Sequence, residues 1–118
     1  MNNFTSPTRP AEQIQRIRQL NDDLRIRRRG GKIVVTSGIH AEGPHFVAAL
    51  IQAIAQFNDF REKNDPWGEH DCATITVNGI DALWKIDYFD LSLTCHSPDP
   101  SDPEVTLRVL TIMRVDEY

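Results

Sequence analysis

Asp65, Glu69, His70, Asp71, Asp87 and Asp90 form a polar cluster within one short stretch of sequence. Carboxylate oxygens grouped with one imidazole make a ligand set that suits magnesium, manganese or a hydrolytic transition metal. A histidine beside a carboxylate can also serve as an oriented base. Glu69, His70, Asp71 and Asp87 are therefore the candidate catalytic or metal-ligating residues of a metal-dependent hydrolase or nuclease. The competing reading of the stretch NDPWGEHD is a turn. In it Asn64 or Asp65 caps a bend, Pro66 fixes φ, Gly68 permits reversal and the acids face water. No second histidine stands at ligand spacing, so the structural reading is preferred and no cofactor is expected.

A second kind of chemistry is contact with a partner. Trp67 sits in that same turn, and large aromatic side chains at exposed turns are enriched where proteins meet partners. The loop SPDPSDP and the residue after it supply Asp99, Asp102 and Glu104, candidates for an acidic contact surface. At the other end of the chain Arg25, Arg27, Arg28 and Arg29 form a basic run. It can complement a helix dipole or touch nucleic acid directly.

These residues must be positioned by the elements around them. Asn78-Gly79 between CATITV and IDALWKID is a strong hairpin signal, because both positions of a type I′ turn need positive φ. A two-residue turn pairs Val77 with Ile80, Ile75 with Ala82 and Ala73 with Trp84, and places Ile86 and Tyr88 on the same apolar face. Continued further, that register sets His70 beside Asp87. Apolar residues at Ile14, Ile17, Leu20 and Leu24 predict a helix from Pro10 to Arg28 or Arg29, stopped by Gly30-Gly31. Lys32–Ser37 reads as a buried strand, and Pro44 opens a second helix running to about Phe60. Val105–Val115 is apolar on both faces and predicts a central strand. The expected fold is α+β: an antiparallel sheet of about four strands with two helices, in the order α-β-α-β-β-β. Residues 1–9 are expected to form a flexible tail and residues 10–118 a single domain.

Composition narrows the function classes. Hydrophobic residues make up 40% and charged residues 25%, as in ordinary globular proteins. No apolar run approaches the roughly 20 residues of a membrane helix, and two cysteines without CxxC spacing suggest a reducing, cytoplasmic setting. The net charge of -4 is unevenly spread. Residues 1–32 carry eight basic and three acidic side chains, whereas the rest carries five basic and fourteen acidic ones. One end can attract phosphate and the rest repels it.

The segments NDPWGEHD, WKIDYFD, SPDPSDP and TLRVLTIMRVDEY, with LNDDLR and FNDFREKNDP, resemble a family of small, mainly proteobacterial proteins catalogued as domain of unknown function 3768. Cys72 stands where that family favours an aromatic residue, and Arg114 where it favours an apolar one. The resemblance implies a bacterial protein often carried by plasmids and other mobile elements, and implies no chemistry. Together with the acidic bulk, it leads to the expectation of a non-catalytic binding protein. Its expected partner is a protein or protein–nucleic acid complex, as for an inhibitor of a host defence system of the anti-CRISPR or anti-restriction type.

Overall fold

The computed structural model describes residues 9–118. The expectation of a tail over residues 1–9 falls, apart from Arg9, outside the described residues. Helix α1 spans Ala11–Arg27 and buries Ile17, Asn21, Leu24 and Arg25 on one stripe. Glu12 in its first turn and Arg27 in its last suit the dipole. Its stop differs from the expected glycine: Arg28 itself adopts φ 58, and the N–H groups of Arg28 and Arg29 reach Leu24 and Asp23 carbonyls at 3.0 and 3.2 Å. These bonds satisfy the helix's terminal acceptors and offset the left-handed strain.

Strand β1 (Gly31–Val35) follows, then a one-turn helix α2 (Ser37–His40), which adds a third helix to the two expected. Gly31 is required by close approach, since a Cβ there would lie 2.5 Å from the Arg108 carbonyl oxygen and 2.9 Å from Leu24. Helix α3 covers Pro44–Gln56, with Pro44 at its start and Phe46, Leu50 and Ile54 buried. It ends before the expected Phe60 because Phe57 turns extended. The Arg25 guanidinium, itself buried, donates to the carbonyls of Ile54 (2.8 Å) and Phe57 (2.7 Å). A cation thus closes the negative end of α3.

Strands β2 (Cys72–Val77) and β3 (Ile80–Phe89) form the expected hairpin. Val77 pairs with Ile80, Ile75 with Ala82 and Ala73 with Trp84, around Asn78 at φ 51 and Gly79 at φ 79. Strand β4 (Leu107–Arg114) lies centrally, in the sheet order β1-β4-β3-β2, and a short 3-10 turn (Val115–Glu117) follows it. The sheet is mixed rather than antiparallel: β1 runs parallel to β4, Ile33 opposite Leu110. The cause is the helical crossover. A strand followed by α3 and returned to the same sheet emerges in its original direction. Because β3 is antiparallel to both β2 and β4, β1, β2 and β4 all point the same way.

The helices contribute Ile17, Leu24, Leu50 and Ile54 to the core, which they share with Trp84, Ile86, Leu110 and Ile112 of the sheet. Trp84 is 0% exposed, edge-on to Phe57 and Phe60 with centroids 6.2 Å away in each case. The alternate positions Leu83, Lys85, Asp87 and Phe89 lie half-buried on the opposite face of β3.

Candidate functional site

The NDPWGEHD turn is folded back onto α1 rather than left in water. Asp65 accepts from the His70 N–H at 3.2 Å, and Arg18 Nε donates to the Gly68 carbonyl at 2.7 Å. Gly68 (φ 71) and His70 (φ 55) both sit in the left-handed region, so the chain reverses twice within three residues. That second reversal removes His70 from the hairpin. Strand β2 begins at Cys72, and the expected pairing of His70 with Asp87 does not form. His70 Nδ1 instead lies 3.0 Å from Asp22 Oδ1, with its ring stacked on Phe60 at 3.8 Å and 7°.

Glu69 turns inward and is 3% exposed. It accepts from Tyr88 Oη at 2.9 Å and pairs with Arg9. Asn21, at 0% exposure, donates through Nδ2 to the Glu69 carbonyl (3.0 Å) and to Tyr88 Oη (2.8 Å). Its Oδ1 accepts from Arg108 Nε at 2.8 Å. Arg108 also donates to the Pro100 carbonyl, and its guanidinium stands 5.1 Å over the Tyr88 ring. A buried, hydrogen-bonded chain therefore runs from the turn at Glu69 through Tyr88, Asn21 and Arg108 to the proline loop at Pro100. The low dielectric strengthens such bonds and makes any broken one costly.

Titration in this region follows from the burial. The Asp71 carboxyl is pushed up to about 6, first by desolvation and then by the negative charge of Glu69. The Tyr88 hydroxyl is also raised, by burial first and Glu69 second, so it donates to the carboxylate across the whole neutral range. Burial lowers the Arg108 guanidinium, while the neighbouring Tyr88 and Glu69 oppose that shift.

The four residues proposed for catalysis or metal binding are thus differently engaged. Glu69 belongs to the buried chain, His70 to Asp22, and Asp87 to Lys85, its ion-pair partner. Asp71 and Asp87 line an open cleft of about 400 Å³ with Tyr88, Thr94, Cys95 and His96. Among the described residues no three His, Cys, Asp or Glu side chains converge to hold a metal ion. Both cysteines are free, and no described helix is long and apolar enough to cross a membrane.

The partner-contact candidates lie on two segments joined by the buried chain. Trp67 is 50% exposed on the turn. In the proline loop Asp99 accepts from Ser101 N (3.0 Å) and Oγ (2.6 Å), and Asp102 accepts from Glu104 N (2.9 Å). The Ser101 bonds hold the Asp99 carboxyl below its usual range. Glu104 is exposed. Of the basic run, Arg25 is buried under α3 and Arg27 pairs with Asp23 at 2.7 Å, which leaves Arg28 and Arg29 exposed.

Asn21, Asp22, Tyr88 and Arg108 were not singled out by sequence reasoning, although three of them carry a signal. Asn21 occupies the apolar stripe of α1 between Ile17 and Leu24, and Tyr88 and Arg108 fall on the inward phase of their strands. Polar groups at core positions in three separate elements point to one shared network.

The fold and the site define a small α+β domain with a mixed four-stranded sheet and a polar chain that ties a tryptophan-bearing turn to an acidic loop. Residues 35–117 match the family described as "Protein of unknown function (DUF3768)", and the chain belongs to that family. No curated protein and no solved structure matches it.

Proposed function

We propose that this chain is a non-catalytic binding protein that engages a macromolecular partner through Trp67 and the acids Asp99, Asp102 and Glu104. One observation carries the reading: Glu69, the most buried of the candidate acids, is engaged in an internal chain that fixes two segments relative to each other. Glu69, Tyr88, Asn21 and Arg108 join the turn to the loop, leaving Trp67 as a half-exposed aromatic anchor on a pinned backbone. Pre-organisation of this kind lowers the ordering cost of association. Large aromatic side chains anchor binding hot spots, and charged residues steer association.

The acidic loop suits a basic groove, such as one that holds nucleic acid in a defence nuclease or a CRISPR complex. In this reading the protein acts in the cytoplasm as a mobile-element inhibitor of such machinery, in keeping with its two unpaired cysteines. Complex formation should then be fast and should weaken steeply with salt. The test is binding to purified candidate effectors at low and high salt by the native protein and by Trp67→Ala and Asp99→Asn/Asp102→Asn. Asn keeps the loop's side-chain acceptor while removing the charge, so the double variant probes charge alone. Equal binding by all three proteins, independent of salt, would refute the assignment.

A further inference from the structure

We propose that the outer edge of β1 is a second docking site, and that it takes an extended acidic peptide by strand addition. Strand β1 closes one end of the sheet and, among the described residues, pairs only with β4. Among the described residues its other side has no backbone hydrogen-bond partner. An edge of this kind can template a further strand.

Three features select the occupant. The first is charge. Arg28 and Arg29 lie just before the strand and Lys32 within it; all three are exposed, and none has a carboxylate partner among the described residues. A short strand bearing lysine is a usual guard against edge pairing. Here the guard is selective. Two copies of β1 would bring six cations together, whereas a strand carrying Asp or Glu would neutralise them.

The second feature is a groove of about 370 Å³ over the start of β1 and β4, where Leu93, Leu107 and Val109 stand with the polar residues Lys32, Thr106 and Arg108. This mixture of apolar and cationic surface beside β1, with Val34 41% exposed further along the strand, suits a segment that carries both apolar and acidic side chains. Among the described residues no aromatic side chain lines the groove, so they offer no stacking platform of the kind single-stranded nucleic acid uses.

The third feature is that Leu93 is held in place at a conformational cost. It has φ 61 and is 55% exposed. Asp90 fixes its loop by accepting from Thr94 N at 3.0 Å, Cys95 N at 3.3 Å and Ser92 Oγ at 3.0 Å. A leucine in left-handed backbone, facing a groove, is a placement that folding alone does not favour.

The test is to pan a displayed random dodecapeptide library on the full chain and to measure the enriched peptides by fluorescence polarisation. The expected consensus alternates Asp or Glu with apolar residues. Affinity should fall about tenfold in Arg29→Glu/Lys32→Glu, two surface charge reversals. It should also fall in Leu93→Asn, which keeps a residue tolerant of positive φ. Trp67→Ala should leave it unchanged, so this site and the proposed Trp67 surface succeed or fail separately. Amide shifts on peptide addition should fall on residues 31–35. No enrichment, an enriched consensus without acids, equal affinity in the charge-reversed variant, displacement by a single-stranded oligonucleotide, or self-association of the chain through β1 would each overturn the proposal.

Discussion

Replacing Asn21 by leucine tests whether the buried polar chain holds the turn to the helix. Asn21 makes three hydrogen bonds in a site from which water is excluded, and leucine fills a similar volume with none. Arg108 Nε loses its acceptor; an ionised donor left unmade in the interior costs roughly 1.5–3 kcal/mol. The Glu69 carbonyl loses its donor at about 1–2 kcal/mol, whereas Tyr88 Oη keeps its bond to Glu69. The sum, about 2.5–5 kcal/mol, is a large share of the roughly 5–15 kcal/mol by which a domain is stable. Urea unfolding followed by far-ultraviolet circular dichroism should show a much lower midpoint at an unchanged slope. Gln19→Ala, on the exposed face of the same helix, should change stability by no more than about 0.5 kcal/mol. A loss below about 1 kcal/mol for Asn21→Leu would mean that these groups do not depend on Asn21, and the network would be wrong.

Other perturbations should behave as follows. Trp84→Ala empties the fully buried centre of the core and should cost about 3–5 kcal/mol, read from thermal melting; a normal melt would show that the hairpin register is wrong. Asp71 keeps its proton in the folded protein up to about pH 6, while the unfolded chain releases it near pH 4, so stability should fall as pH rises between those values. Asp71→Asn should flatten that slope and add about 1–2 kcal/mol at pH 7, a figure reduced from the full shift because the group is only half-buried; an unchanged pH profile of the melting temperature would contradict the burial argument. Leu93→Gly relieves left-handed strain and should leave stability unchanged or raise it by up to about 1 kcal/mol; a clear loss in chemical denaturation would show that Leu93 packs rather than strains.

The hairpin was legible in the sequence because an Asn-Gly pair and strict alternation define its register without reference to the rest of the chain. The central position of β4 was legible from its two apolar faces. The direction of β1 was not, since five residues of β-rich sequence carry no sign of which way they run, and only the crossover through α3 decides it. The placement of His70 failed for a local reason. Extending the ladder past Cys72 assumed extended backbone, whereas His70 takes positive φ and turns toward Asp22. The basic run illustrates a third limit: four arginines within five positions look alike in sequence, yet the helical period sends Arg25 into the core beneath α3 and leaves Arg28 and Arg29 outside.

The central claim, that the polar chain serves to present a partner-binding surface, is tested most directly by capture from the native host at low and high salt. Native protein should be compared with Trp67→Ala and His70→Ala by quantitative mass spectrometry, together with a hydrolase screen of the same three proteins. The expected result is one macromolecule retained by native protein at low salt and released at high salt. It should be lost with Trp67→Ala, whose melting temperature stays native, and no turnover should depend on His70. Equal capture by native and Trp67→Ala protein, or turnover abolished by His70→Ala in a protein that is still folded, would contradict the account.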